Sequence, residues 1–430
     1  MLKPLIPVLR HLSTAAAPWL RRYKLGRGFW LFFTAALFWD AGFGVYFFLF
    51  NLYLLDLHLN ERAIGLVNGA LSLGLIAGML PAVILVRRIG ARRSLILCFL
   101  AASVLGILRA VFVWEQAAIG LAFIAGVVMC FWPVLFLPVT ASLTSENNRT
   151  AATGLIFSVG IGATAFGVAA SGYLSQWVGI LGSAIGPADV KRVVLLLSSG
   201  VVACGAIALM RLPELNTASP ETVTLRKQFV VLRQSFLRRF LPCVALWTSL
   251  LGAFTPFATV YFAQQRHVSL SQLGLIFSAS QLAQLTGGLV VPLVERSFGL
   301  TRAIVISQVA TGVLLTLTAV SSHPAWCIVF FCSFSAAQWI CSPAMYTLLM
   351  NNVVETDRAG ASALVMFSNY LLTAVATPAM GILLLHFGYT EVMISIAALE
   401  CILAGTFHWL IPERSLMTAP SPIRAESFTD

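Results

Sequence analysis

The chain has 430 residues, of which 59% are hydrophobic and only 10% are charged, and its formal net charge is +11. Soluble domains carry about 25% charged residues, so this composition excludes an ordinary soluble enzyme or nucleic-acid-binding protein. Apolar runs of roughly 20 residues recur along the whole chain, and each is long enough to cross a hydrocarbon core of about 30 Å as a helix. We therefore expect a multi-pass helical membrane protein whose basic residues face anionic lipid headgroups rather than nucleic acid.

Twelve apolar segments are predicted to span the membrane as helices. Their approximate bounds are 29–54, 63–86, 94–113, 116–141, 151–176, 192–211, 240–263, 270–294, 303–321, 325–349, 361–385 and 391–411. They form a first half at 29–211 and a second half at 240–411, between a basic arm at 1–28 and a tail at 412–430.

A linker at 212–239 joins the two halves. Within it, Leu225, Phe229, Leu232 and Phe236 recur at helical spacing among basic residues. This pattern is typical of an amphipathic helix that lies on the lipid surface.

The distribution of lysine and arginine predicts which ends of the spans face the cytoplasm. Of the 27 basic residues, 22 lie on the side that holds both termini, 4 lie on the opposite side, and Arg109 lies inside span 3. Because cytoplasmic loops are enriched in positive charge, we expect both termini to be cytoplasmic. The expected location is the bacterial inner membrane.

The second half of the chain repeats the first. Gly90 falls on Gly299 at a shift of 209 residues, and Trp39 falls on Trp247 at a shift of 208. A nearly constant shift across several spans predicts an all-α protein of two pseudo-symmetric six-helix bundles, which is the parallel-repeat plan of many transporters.

The loops after spans 2 and 8 carry the most specific motif. The first reads LVRRIGARRS at 85–94, and its repeat reads VERSFGLTR at 294–302. With six plus six helices, these loops resemble the major facilitator superfamily over nearly the whole chain. That family's motif runs G-x-x-x-D-R-x-G-R-R, whereas this chain has Val83 for the glycine and Arg87 for the aspartate, and Glu295 lies one place early in the second copy.

The resemblance implies gating roles for residues of these loops and of the similar loops before spans 5 and 11. The implied residues are Arg87, Arg88, Gly90, Arg92, Arg93, Arg149, Glu295, Arg296, Gly299, Arg302 and Arg358. The family's loop aspartate helps to hold one gating state, so the substitution at Arg87 removes that contact from the first loop.

Asp40 lies inside span 1. An intramembrane carboxylate costs about 2.5–3.5 kcal/mol on insertion scales, and apolar surroundings disfavour the charged form of a carboxyl. Asp40 is therefore the candidate proton-coupling residue, with a structural hydrogen-bonding role as the alternative. Its repeat mate Thr248 cannot ionise. Arg109 and Glu400 are further intramembrane charges, on spans that the resemblance places at the periphery.

By resemblance, spans 1, 4, 7 and 10 line a central cavity, and each of them carries a tryptophan. The candidate solute-binding residues are Trp39, Asn51, Asn68, Trp132, Trp247, Thr248, Thr255, Thr259, Gln281, Gln284, Gln338, Trp339, Tyr346, Asn369 and Tyr370. Aromatic and mildly polar walls suit an amphipathic or aromatic solute. Ordinary helix packing accounts for the same residues.

None of the four lysines follows a glycine, so the chain has no P-loop, and it has no HExxH motif. We predict a secondary transporter, not an enzyme, which needs no cofactor or metal. It is expected to move a small organic solute by alternating access, to couple to protons and to export. The alternatives are an uptake permease and a transporter-like receptor or assembly factor without net flux. The expected partners are the solute, protons and membrane lipids, and we expect a monomer.

Overall fold

The computed structural model describes residues 25–181, 186–215, 234–354 and 357–411, and no β-strand occurs in this part of the chain. The helices are α1 Arg27–Asp56, α2 Glu61–Ile89, α3 Ala91–Val111, α4 Glu115–Met129, α5 Phe131–Ser142, α6 Glu146–Leu181, α7 Pro187–Met210, α8 Ser235–Gln264, α9 Leu270–Phe298, α10 Leu300–Val320, α11 Pro324–Asn352, α12 Arg358–Phe387 and α13 Tyr389–Leu410.

Twelve segments of the described chain are long and apolar enough to cross a membrane, as predicted. α4 and α5 together make the fourth of these segments, Glu115–Ser142. Some helices begin earlier than hydropathy alone predicts. α7 begins at Pro187, after Gly186, because proline suits the first helical turn, where its missing N–H costs nothing.

Three sequence predictions fall wholly or partly outside the described residues. They concern most of the basic arm, at 1–24, the linker segment at 216–233, which holds most of the predicted amphipathic helix, and the tail at 412–430. Phe236 of the predicted linker helix lies in the first turn of α8.

The chain forms two compact units. The first unit comprises residues 1–50 and 74–220, and the second unit comprises 51–73 and 221–430. The segment 51–73, which ends α1 and begins α2, therefore packs within the second unit, although it precedes the middle of the chain. Small residues make this packing close: a Cβ added at Gly65 would lie 2.8 Å from the Thr377 carbonyl oxygen. Small residues are the usual means by which helix backbones approach in membranes.

The sequence repeat reappears as a repeat of backbone conformation. Gly90 and Gly299 have φ angles of 86° and 79° at the turns before α3 and α10. His58 and His267, another pair 209 residues apart, both have positive φ, at 63° and 50°. Glycine adopts such angles without steric cost, which explains why the loop motif keeps its glycine in both copies.

Candidate functional site

Asp40 lies in the middle of α1 within the first unit, and its side chain is half-buried. Its carboxyl group lies against α6, where a Cβ added at Gly160 would come within 2.5 Å of Asp40 Oδ2. The glycine therefore provides the space that the carboxyl occupies. Among the described residues, no basic side chain forms an ion pair with Asp40.

Close contact between α1 and α6 holds Asp40 in place. A Cβ at Gly44 would lie 2.6 Å from the Thr164 carbonyl oxygen, and a Cβ at Gly167 would lie 2.3 Å from the Ala41 carbonyl oxygen. The Thr164 hydroxyl donates a hydrogen bond to the Asp40 carbonyl oxygen at 3.3 Å. The two backbones are thus in contact immediately C-terminal to Asp40 in α1 and to Gly160 in α6.

Two of the predicted cavity tryptophans meet in the first unit. Trp39 is 5% exposed, and its ring stacks on Trp132 with centroids 5.4 Å apart. Phe99 from α3 lies 4.8 Å from Trp39. Such pairs add about 0.5–1.5 kcal/mol beyond the burial of their area. In this arrangement Trp39 is part of the packed core of the first unit.

Arg109, the intramembrane cation of span 3, is buried in the first unit. Its guanidinium carbon lies 4.2 Å from the Phe50 ring centroid and 5.1 Å from the Tyr46 ring centroid. Aromatic faces stabilise a cation in this geometry, whereas the Arg109 Nε atom is buried without a hydrogen-bond partner.

The second unit contains a cavity of about 50 Å³ between α8, α11 and α12. Four predicted solute-binding residues line it: Trp247, Thr248, Tyr346 and Asn369. The Thr248 hydroxyl donates a hydrogen bond to Asn369 Oδ1 at 2.7 Å. Since about 10–15 Å³ of such space holds one water molecule, the cavity has room for a few waters or for one edge of an organic solute.

Sequence reasoning missed six residues of this wall, five of which are apolar. The residues not predicted are Phe240, Val244, Ser342, Met345, Leu349 and Val365. A signal was available, because Phe240 and Val244 precede Trp247 at helical spacing, and Ser342 and Leu349 flank Tyr346 at the same spacing.

Asn51 and Asn68 form a separate polar network, also within the second unit. Asn51 Nδ2 donates to the Pro256 carbonyl oxygen at 3.0 Å, and Asn68 Nδ2 donates to Asn51 Oδ1 at 2.9 Å. Asn51 is 3% exposed. Both polar ends of its amide are therefore satisfied by protein groups in this structure.

The structure does not place the remaining cavity candidates on the wall of this cavity. Thr255 is exposed and donates to the Leu251 carbonyl oxygen, whereas Thr259 is buried and donates to the Pro256 carbonyl oxygen. The others are partly buried or exposed: Gln281, Gln284, Gln338, Trp339 and Tyr370. Their predicted role in solute binding stays a prediction.

Among the loop residues, Arg92 makes the most specific contact. Its guanidinium donates to the carbonyl oxygens of Leu209 and Met210 at the C-terminal end of α7. A cation at this end complements the helix dipole.

The other loop residues make fewer contacts or are exposed. Arg358 Nε donates to the Val353 carbonyl oxygen at 3.3 Å. Glu295 Oε1 is buried without a hydrogen-bond partner. The exposed members are Arg87, Arg88, Arg93, Arg149, Arg296 and Arg302.

Comparison with solved structures identifies transporters of the same fold. The crystal structure of the nucleoside transporter NupG has a TM-score of 0.76 at 13% identity, covering 90% of this chain and 99% of that one. A bacterial homologue of the human lysosomal transporter Spinster, in an inward-facing and unoccupied conformation, gives 0.71 at 14% identity, covering 92% and 98%. The xylose transporter XylE from E. coli gives 0.69 at 14% identity, covering 90% and 96%.

Comparison with curated protein sequences gave no match. The family model of the Major Facilitator Superfamily, by contrast, matches residues 29–263 and 243–428. These two matches together cover nearly the whole chain, and they agree with the twelve apolar helices and with the solved structures of the same fold. The chain is therefore a multi-pass membrane transporter of a solute, and it belongs to the major facilitator superfamily.

Proposed function

We propose that this protein moves a small amphipathic or aromatic organic solute across the membrane by alternating access, driven by a proton gradient. The observation that carries the solute class is the cavity of the second unit. Its wall combines aromatic and aliphatic side chains with Ser342 and one hydrogen-bonded polar pair, Thr248 and Asn369. Ligand sites of this kind bind by apolar contact and orient the ligand through a few polar groups.

The polar pair supplies a donor for the solute. The Thr248 hydroxyl has one proton and lies 2.7 Å from the Asn369 side-chain oxygen and 2.8 Å from the Val244 carbonyl oxygen. Whichever of the two accepts that proton, the Asn369 amide keeps at least one N–H donor for a ligand. None of the ten lining residues is charged. A polyanion needs cationic partners and a sugar needs many hydrogen-bonding groups, so both fit this wall less well than an aromatic ring with one polar substituent.

Asp40 is the residue that we propose to carry the proton. It lies at mid-helix, half-buried and without an ion pair among the described residues. An uncompensated carboxylate in the bilayer is costly and a neutral one much less so. A change in hydration during transport would then favour uptake of a proton in one state and its release in another.

Transport by the purified protein in proteoliposomes tests this proposal. A panel of amphipathic aromatic compounds is assayed with and without an imposed pH gradient, in both directions, against protein-free liposomes. We expect accumulation of at least one compound that collapses when a protonophore is added. Flux that ignores the gradient would overturn proton coupling, and saturable binding without flux would favour a receptor. Export stays a prediction. The direction of the pH gradient that drives accumulation decides between export and uptake.

A further inference from the structure

Glu400 is a fully buried carboxyl group in the second unit. It lies near the middle of α13 and is 0% exposed. Its Oε1 atom has no hydrogen-bond partner, and its Oε2 atom lies 3.3 Å from the Thr311 hydroxyl of α10. Burying an ionised carboxylate without a counter-ion costs several kcal/mol.

The helices packed around Glu400 provide no such counter-ion. α10 presents Thr311, α8 presents Trp247 and α11 presents Cys341, whose thiol is the titratable group that faces the carboxyl within the described residues. Basic residues of the helices around it lie near helix ends, far along the chain from these contacts: Arg238, Arg239, Arg302, Arg358, His386 and His408. No ion pair to Glu400 forms among the described residues.

The hydrogen-bond geometry at Thr311 fits a protonated carboxyl. The Thr311 hydroxyl lies 2.7 Å from the Gln308 carbonyl oxygen and 3.3 Å from Glu400 Oε2. One hydroxyl has only one proton to donate. If Glu400 is neutral, its O–H donates to Thr311, and Thr311 donates to the Gln308 carbonyl, so both bonds form together. If Glu400 is ionised, the hydroxyl can donate either to Glu400 or to the Gln308 carbonyl oxygen, but not to both.

A second unsatisfied group lies on the same face of α10. The Gln308 side chain is 0% exposed, and neither its amide oxygen nor its amide nitrogen has a hydrogen-bond partner. It precedes Thr311 by three residues, about one helical turn. Buried amides are nearly always paired, so the unpaired N–H groups of Gln308 are candidate donors to the unpaired Glu400 Oε1 atom.

Trp247 connects this polar cluster to the cavity. Its ring lines the cavity and is 2% exposed. Its indole N–H approaches the Glu400 carboxyl group without forming a hydrogen bond of regular geometry. An ionised carboxylate is a much stronger acceptor than a neutral carboxyl. Ionisation would therefore draw the indole N–H toward Glu400 and move the ring that lines the cavity.

We propose that Glu400 is a second proton-binding site, assisted by Gln308 and Thr311, and that Trp247 transmits its protonation state to the cavity of the second unit. The site would bind a proton rather than a metal cation, because no group of three His, Cys, Asp or Glu side chains that could hold a metal occurs among the described residues. The role of the cavity rests on the proposed function, whereas proton binding at Glu400 does not.

Infrared difference spectroscopy of the purified full-length protein tests proton binding directly. A protonated buried carboxyl gives a C=O stretching band that is absent from a carboxylate. We expect a pH-dependent band that disappears in Glu400→Gln and remains in Asp40→Asn and in Glu391→Gln, which changes an exposed glutamate of the same helix. Persistence of the same band in Glu400→Gln would overturn the proposal. A response to sodium at constant pH would also overturn it, in favour of a cation site.

A second variant protects the test against misfolding of Glu400→Gln. Thr311→Val removes the shared hydroxyl while retaining the carboxyl, so the C=O band should persist at a shifted frequency, and Thr311→Ser should restore it. An unchanged frequency in Thr311→Val would show that the hydroxyl does not bond the carboxyl.

Tryptophan fluorescence tests the connection to the cavity. The emission of the wild type minus that of Trp247→Phe should change over the pH range in which the infrared band is lost, and this change should vanish in the Glu400→Gln background. A difference signal independent of pH would remove Trp247 from the proposal. Neither readout requires transport, so failure here leaves the proposed function standing, and failure of transport leaves this site testable.

Discussion

Trp39 and Trp247 occupy equivalent positions in the two repeats, but their surroundings differ. Trp39 stacks on Trp132 inside an aromatic core, and the next residue is the carboxyl-bearing Asp40. Trp247 lines a cavity, and the next residue is Thr248, which is hydrogen-bonded to Asn369. The repeat therefore keeps the position of the ring while the neighbouring residue carries different chemistry: an ionisable carboxyl group in the first unit and a hydroxyl that lines a cavity in the second.

The two repeats also differ in helix packing, at the equivalent glycines one turn further along. A Cβ at Gly44 would lie 2.6 Å from a main-chain oxygen of Thr164, whereas a Cβ at its mate Gly252 would lie 3.3 Å from the side-chain hydroxyl of Thr373. A backbone atom cannot move aside, but a side chain can. We infer that α1 is held more rigidly at Asp40 than α8 is held beside the cavity.

The largest expected effect concerns the Asp40 carboxyl group of the first unit. One pH unit is worth about 1.4 kcal/mol, or about tenfold accumulation for one proton per solute. Asp40→Asn should abolish this accumulation while solute exchange down its own gradient continues. The measurement is gradient-driven uptake against counterflow in proteoliposomes. Asp189→Asn is the matched control, since that exposed residue forms a surface ion pair with Arg192. Accumulation by Asp40→Asn at the wild-type level would make the residue structural.

The difference between the two glycines predicts the next effect. Gly44→Ala forces a methyl group against backbone and should destabilise the protein by about 1–3 kcal/mol. Gly252→Ala should cost less, because Thr373 can change rotamer. Thermal unfolding in one detergent compares the two variants. Equal losses would mean that the two helices are held equally tightly.

The polar pair of the second unit predicts a loss of solute affinity. Asn369→Ala removes the amide from the cavity wall and should weaken binding of a transported aromatic solute about tenfold, or about 1.4 kcal/mol. Titration of the purified protein with that solute measures the change. Thr286→Val is the control, because Thr286 is exposed and its hydroxyl bonds within its own helix. Unchanged affinity would place the solute elsewhere.

The smallest expected effect compares Arg92 with Thr301, its repeat mate. Arg92→Ala removes the cation from the C-terminal end of α7 and should cost about 0.3–1 kcal/mol. Thr301→Val removes a buried hydroxyl that has no partner, so it should be neutral or stabilising. Thermal unfolding separates the two outcomes. A stabilised Arg92→Ala variant would contradict the capping contact.

The sequence alone predicted the twelve spans, the repeat and the family, and parts of the cavity. Trp247, Thr248, Tyr346 and Asn369 were predicted from residue type and by resemblance, and the structure places them together. The sequence did not predict the contact between Glu400 and Thr311. The resemblance placed span 12 at the periphery, and the two residues are 89 positions apart. The sequence also did not predict that residues 51–73 belong to the second unit.

The sequence by itself determined where the helices lie, and it predicts which of their ends face the cytoplasm. The reason is that hydropathy and charge act locally: each segment partitions into lipid largely on its own composition. Only the tertiary structure decided which polar side chains meet. That outcome depends on the rotation and crossing of helices far apart in the chain, and small residues such as Gly44 and Gly65 set those contacts through steric fit rather than through any local pattern.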